Sequence, residues 1–351
     1  MILVTGAAGF TGGATVAALV RRGARVRAVV HHRPAAWART PDTAEPEAAG
    51  PDTAGPESVS GVSGVPAVPA VSAVPGVAAA PAETVTADLT DPSSLAGLCD
   101  GVSAVVHLAA YIGEDPERCA AVNVDGTLAL LAEARRAGVR RFVQLSTAAV
   151  YGDGAHTGPD EDALTPDPVS VLSRSRLLAE HAVLAGGGTV LRPMFVYGPG
   201  DRWFVPPLAQ ALTALPVRVN GGAARLSLLD VADLAEAFAV LATTDGPGGP
   251  DTDRGRIYHA AHPEPVTLDR LMGAFTAHLG VPEPTADIGF EEALAFLADA
   301  PDLARRLRLI AFDHYYDASR LWRRTGLVPG MFDDRFAARA PWYRARLDAS
   351  G

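Results

Sequence analysis

The chain has 351 residues, 48% of them hydrophobic, which is enough for a sizeable core and too many for a wholly disordered polypeptide. Thirty basic residues against 40 acids give a formal charge of −10, which argues against a nucleic-acid binder, whose contacts need a basic face. Two cysteines, Cys99 and Cys119, cannot build a disulfide framework, and no Cys-x-x-Cys pair or histidine–carboxylate spacing suggests a metal. Met1 runs directly into Ile2-Leu3-Val4 with no basic leader, so the expectation is a cytoplasmic protein without a membrane span. All 30 bases are arginine, so an arginine at a position where lysine is customary carries little information by itself.

Residues 1–5 form an apolar run bounded by glycine and predict a buried strand. Helical spacing follows over 10–22, closed by Gly23, and 25–30 reads as a second strand. Strand, glycine turn, helix, strand opens a parallel α/β sheet. Residues 41–82 break the rhythm: Pro-Asp-Thr-Ala recurs, and 13 of 42 residues are proline or glycine, with five acids and no base. Lacking large side chains for a core, this stretch is expected to be a flexible, low-complexity surface insertion. Proline interrupts its valines too often for a membrane span. The alternation resumes with strands at 84–87 and 103–107, a helix at 117–137, a strand at 141–145, a helix at 171–185 and a strand at 189–191. Past Arg192, short strands near 217–219, 226–229 and 256–260 alternate with helices near 231–243 and 267–279. The expected fold is α/β, a Rossmann-type doubly wound parallel sheet with a smaller C-terminal substrate lobe. Residues 1–190 form the nucleotide domain, and 191–351 are mainly the lobe, with some segments returning to the sheet.

Thr5-Gly6-Ala7-Ala8-Gly9-Phe10-Thr11-Gly12 places glycines three and three apart between the first strand and first helix. Such glycines allow a tight turn and close backbone approach, and free amides at the helix start attract a pyrophosphate. Gly6, Ala8, Gly9, Phe10, Thr11 and Gly12 are therefore the candidate dinucleotide cradle. At the end of the second strand, Val30 stands where an acid would hold an adenosine ribose, followed by His31, His32 and Arg33. No carboxylate there repels a 2′-phosphate, and His32 or Arg33 could pair with one, so NADP(H) is favoured over NAD(H).

With this spacing the sequence resembles the short-chain dehydrogenase/reductase superfamily, in its extended branch of epimerases, dehydratases and hydroxysteroid-type dehydrogenases. Six segments carry the resemblance: Ala87-Asp88-Leu89; His107-Leu108-Ala109-Ala110; Asn123-Val124-Asp125-Gly126-Thr127; Ser146-Thr147-Ala148-Ala149-Val150-Tyr151-Gly152; Leu191-Arg192-Pro193 through Gly200; and Asp230-Val231-Ala232-Asp233-Leu234-Ala235. The resemblance implies that Asp88 and Leu89 sit at the adenine, that Leu108, Ala109, Ala110 and Pro193 border the nicotinamide side, and that Asp230 begins a substrate-lobe helix. It also implies a homodimer joined through two long helices.

One departure stands out. Members usually catalyse with Tyr-x-x-x-Lys and a serine or threonine, the phenol passing a proton as hydride moves. Here the helix reads Val171-Leu172-Ser173-Arg174-Ser175-Arg176, with Leu172 at the tyrosine position and Arg176 at the lysine position. Arginine still offers donors to ribose hydroxyls, but leucine has no proton to transfer. A positioned acid–base group contributes roughly 10²–10⁴ in rate, so a substitute donor is expected if carbonyl and alcohol interconvert. Thr147 keeps the hydroxyl position, its alternative role being to cap a strand end. Tyr151 and Tyr111 are candidate phenols or plain substrate walls. His156, Asp160, Glu161 and Asp162 read as a solvated loop, and Ala148-Ala149 in place of an Asp-Glu pair disfavours 4,6-dehydration. Arg192 and Arg225 could meet an anionic substrate or form salt bridges. His107 reads as a satisfied core histidine, and Tyr315, Tyr316, Asp317 and Trp322 as C-terminal packing. Three functions fit: an NAD(P)-dependent oxidoreductase or epimerase acting on a hydroxy/keto small molecule or sugar nucleotide with a nonstandard proton donor; a redox-neutral isomerase, lyase or cyclase; or a noncatalytic dinucleotide-binding regulator.

Overall fold

The computed structural model describes residues 1–31, 82–247, 249, 251–297 and 301–348. His32, Arg33 and nearly all of the 41–82 stretch lie outside the described residues; Ala82, its last residue, already belongs to a strand. Seven parallel strands form the main sheet in the order β12-β7-β5-β4-β1-β2-β3. They are β1 (Ile2–Thr5), β2 (Val26–Val30), β3 (Ala82–Thr86), β4 (Ala104–His107), β5 (Arg141–Leu145), β7 (Thr189–Pro193) and β12 (Ile257–Ala260). Strand order reverses between β1 and β4, the crevice where open α/β sheets take ligands.

Helices cover both faces, and the alternation of apolar residues along the strands decides which face each meets. Val4 and Val106 pack with Val16 and Leu19 of α1 (Phe10–Arg21) and with Leu234 and Phe238 of α6 (Val231–Thr243). Leu3, Val105 and Val190 point the other way, onto Leu130 of α3 (Gly126–Arg136) and Val183 of α4 (Val171–Ala185). The helix that starts at Val231 thus lies against α1 on the main sheet, not in the lobe. Its almost wholly apolar sequence suits a helix buried on most sides. β12 also returns to this sheet, beside β7.

The expected 117–137 helix is broken. A turn at α2 (Pro116–Arg118), capped by Asp115, runs into a π-helical stretch Cys119–Asp125 before α3 begins. The expected 226–229 strand is likewise two: β10 (Arg225–Leu226) and β11 (Leu228–Asp230), parted at Ser227, whose hydroxyl accepts from the Tyr316 amide.

The remaining elements build the smaller lobe. β6 (His156–Thr157), β13 (Val266–Thr267) and β15 (His314–Tyr315) join β10 in one small sheet. β8 (Phe195–Tyr197) pairs with β11, and β9 (Val217–Val219) with β14 (Ala286–Ile288). A second core centred on Leu226, Leu271, Phe275, Phe336 and Tyr343 joins α5 (Val205–Ala214), α7 (Leu268–Leu279) and α11 (Phe332–Asp348). α8 (Phe290–Ala295) and α9 (Pro301–Ala311) lie at its edge, while α10 (Ser319–Thr325) puts Leu321 and Trp322 into the sheet core. Among the described residues no helix is long and apolar enough to cross a membrane.

Candidate functional site

The glycine turn is built for a backbone-only approach. Gly6 sits at φ +65°, and a Cβ there would stand 2.7 Å from the Ala109 amide nitrogen. A Cβ on Gly12 would stand 1.9 Å from the Gly6 carbonyl, so this glycine lets α1 seat against the turn. Gly9 caps α1 without a side-chain bond, and the first turn holds no acid. Its leading amides, at Phe10 and Thr11, therefore present donors and the positive end of the helix dipole to an anion. These residues fit the diphosphate of a dinucleotide. When bound, such a cofactor supplies hydride chemistry.

The turn is wired to the helix that carries Leu172 and Arg176. The Thr5 hydroxyl accepts from the amides of Leu108 and Ala109, at 3.2 and 3.3 Å, so its own proton goes to His107 Nδ1 at 2.7 Å. His107 Nε2 then donates to Thr127 at 2.9 Å, and Thr127 donates to the Asn123 carbonyl at 2.6 Å. Asn123 closes a two-way clamp on the Tyr111 backbone and donates to Ser175, whose hydroxyl donates to the Leu172 carbonyl. His107 is buried and satisfied; burial, with Arg176 nearby, pulls it down to about 3 and keeps it neutral. The π-helical stretch aims Asn123 at the 111 loop, in keeping with where such bulges occur.

Leu172 and Arg176 share one face of α4, four residues apart and both half-buried. Arg176 donates to the Leu145 carbonyl at 2.9 Å, at the very end of β5, and burial lowers its guanidinium to about 10. Thr147 follows two residues on; it accepts from the Ala149 amide at 3.1 Å, which caps the short 3₁₀ turn Ala148–Tyr151 and leaves its own proton to give. Met194, just past Pro193, packs with Ala148 and Leu177, and Gly200 at φ +100° lies over Phe10. The ends of β1, β4, β5 and β7 thus gather the glycine turn, the 108–110 loop, Thr147, Arg176 and the 193–200 stretch in one crevice.

Other candidates lie elsewhere. Tyr151 is buried, accepts from Arg192 at 2.8 Å and gives its proton to His259 at 2.7 Å, so it has none for a substrate. Arg192 is spent on Glu180 of α4, which it grips with both Nε and Nη2 while stacking over the Tyr151 ring. The pair is 3% and 0% exposed, which makes it structural rather than a substrate contact. Tyr111 folds its ring under the Arg118 guanidinium and its hydroxyl over Gly113. Arg225, on the small sheet, is taken by Asp313 and stacks on Tyr315. The 156–162 loop is solvated only in part. His156 and Glu161 are buried, His156 bonding the Tyr316 hydroxyl and Glu161 accepting from the His259 amide beside Arg320. Trp322 donates to the Ala261 carbonyl, as packing requires.

At the adenosine end, His31 Nε2 lies 3.0 Å from Asp88, joining the ends of β2 and β3. Burial alone would raise Asp88, but the Thr90 amide and hydroxyl, with His31, outweigh it and lower its pKa. Leu89 packs under Gly126 at the head of α3. Chain-local reading missed the Thr5–His107–Thr127 chain and the Gly200–Phe10 contact, whose partners lie 20 to 190 residues apart.

Comparison with known proteins gives the family and the fold. A model of the NAD dependent epimerase/dehydratase family matches residues 2–254. A 2-alkyl-3-oxoalkanoate reductase of Stenotrophomonas maltophilia is 28% identical over 70% of this chain and 81% of its own length. A 3 beta-hydroxysteroid dehydrogenase/Delta 5→4-isomerase of Mycobacterium tuberculosis is 32% identical over 53% of this chain, which spans about half (55%) of that relative. In fold, the chain matches a short-chain dehydrogenase/reductase superfamily protein of Agrobacterium tumefaciens with bound NAD, at TM-score 0.68 and 22% identity, covering 100% of this chain and 99% of the other.

Proposed function

The chain belongs to the NAD-dependent epimerase/dehydratase family, and from that premise we propose an NAD(P)-dependent oxidoreductase that acts on a hydroxy or keto small molecule with a nonstandard proton donor. The observation that carries this reading is the side-chain-free glycine turn at an uncapped helix start, set beside Thr147 and Arg176. Arg176 holds the nicotinamide half in place of the customary lysine. Thr147 is the proton donor to the substrate oxygen, since its lone pair is used by Ala149 and its proton is not. The reductase and hydroxysteroid dehydrogenase relatives support a hydroxy/keto substrate, and residues 191–351 supply most of its binding lobe.

Two finer features belong to the same proposal. NADP(H) is preferred, because His31 rather than an acid follows β2, and His31 masks the nearby Asp88. The protein is a cytoplasmic homodimer, with Leu128 of α3 and Leu178 of α4, each about half exposed, in the contact. A second reading, a redox-neutral isomerase, lyase or cyclase, is favoured by Leu172, which removes the usual phenol from the crevice.

Fluorescence titration with NADPH and NADH tests the nucleotide, with NADPH expected to bind in the micromolar range and more tightly. Incubation with 4-deuterated NADPH and a panel of ketones and nucleotide sugars then tests the chemistry. Deuterium in a recovered alcohol supports the oxidoreductase; product without label movement replaces it with the redox-neutral reading.

A further inference from the structure

The last helix, α11, lies wholly beyond the residues that the family model matches, yet its side chains reach the 198–200 turn. Arg335, Arg339 and Tyr343 are spaced by four and form one stripe along it. Each engages a different acid. Arg335 grips Asp233 in the first turn of α6 at 3.1 and 2.5 Å, and Arg339 grips the α6 cap Asp230 at 2.8 and 3.0 Å. Tyr343, fully buried, donates to Asp201 at 3.1 Å and accepts from the Gly198 amide at 2.6 Å.

Those last two bonds fall on either side of the 198–200 turn. Asp201 is 1% exposed and caps α5 by accepting from the amides of Trp203, Phe204 and Val205 at 2.8–3.0 Å. Gly198, at φ +131°, is wedged against Val231, where a Cβ would stand 2.7 Å from the side chain. Gly200, at φ +100°, lies against Phe10, where a Cβ would stand 3.0 Å from the ring. Both glycines are in the backbone region that side chains disfavour, so the turn needs outside support to hold that shape. Phe10 in turn opens α1 and offers one of the amides that face the anion.

We propose that Tyr343 is a positioning residue for the dinucleotide: through Gly198 and Asp201 it sets the 198–200 turn, and through that turn Phe10 and the leading amides of α1. This rests on a nucleotide binding at the glycine turn. The placement makes the C-terminal helix part of the cofactor-binding apparatus, although no atom of it need touch the ligand.

Tyr343→Phe keeps the ring stacked on Phe336 and removes only the hydroxyl. In the full-length protein it should weaken NADPH binding about tenfold, the effect of one or two hydrogen bonds of ordinary net strength. In the absence of nucleotide it should speed amide exchange at 198–204. Tyr258→Phe is the control, since it removes another buried tyrosine hydroxyl, one that donates to Asp253 in the loop entering β12, at the opposite end of the parallel strands from the crevice. That variant should lose thermal stability yet bind NADPH within about twofold of the parent. Should Tyr343→Phe fail to fold, Asp201→Asn carries the same two expectations. An affinity within about twofold of the parent, or unchanged exchange at 198–204, overturns the proposal while leaving the family's nucleotide site intact. A parent protein that binds neither NADPH nor NADH overturns the nucleotide reading itself.

Discussion

Lowering the pH to 5 charges His107 in the unfolded chain but not in the folded one, and that difference has a size. Burial between Thr5 and Thr127 holds the folded imidazole at about 3, against an ordinary value of 6.5. A histidine depressed on folding adds nothing unfavourable above its unfolded pKa; below it, the unfolded state binds the extra proton and stability falls with pH until the folded pKa is reached. At pH 5 the gap is about 1.5 units, and at about 1.4 kcal/mol per unit the loss is about 2 kcal/mol. Urea unfolding of the parent and of His107→Gln at pH 7.5 and pH 5 isolates this share, because every other titrating group is common to both proteins. The parent should lose about 2 kcal/mol more than the variant over this interval. Equal losses would mean that His107 takes up a proton in the folded protein as readily as in the unfolded chain, and the neutral chain from Thr5 to Asn123 would then be wrong.

Further outcomes follow from the same contacts. Gly12→Ala puts a Cβ 1.9 Å from the Gly6 carbonyl and should abolish NADPH quenching; normal affinity would show that α1 does not need that close approach. Glu180→Gln strands Arg192 without its buried partner and should cost about 3–5 kcal/mol in urea unfolding, whereas a cost below about 1 kcal/mol would contradict a charged pair. Leu172→Tyr restores a phenol one turn before Arg176 and should raise NADPH-dependent reduction of a ketone panel by roughly 10²-fold, read by absorbance at 340 nm. No gain would place that side chain outside the reacting crevice.

Short-range signals carried the nucleotide half of the site. The glycine turn and the helix over Val171–Ala185 were legible because their determinants, small residues at a bend, a serine cap and an apolar stripe, sit within a few positions of one another. The roles of Tyr151 and Arg192 were not legible. A tyrosine or arginine near a strand end reads the same whether it faces solvent or a buried partner, and here the partners are His259 and Glu180, contributed by other elements. The broken helix before α3 was hidden for a related reason. Its apolar spacing is helical throughout, but Asn123 bonds the Tyr111 backbone twelve residues upstream, a contact that periodicity does not encode. The assignment of the Val231 helix to the lobe failed because chain order does not say which face of a sheet a segment returns to.

The edge of the main sheet has a practical consequence. β2 and β3 pair in parallel over five positions, Val26 with Ala82 through Val30 with Thr86, although fifty residues separate His31 from Ala82. Closing a connection of that size costs only slightly more than closing a short one, about 1.4 kcal/mol beyond a ten-residue link. By that scale a fluorescent or affinity module spliced into the connection should cost the sheet little, and β3 should still pair with β2 in the same register.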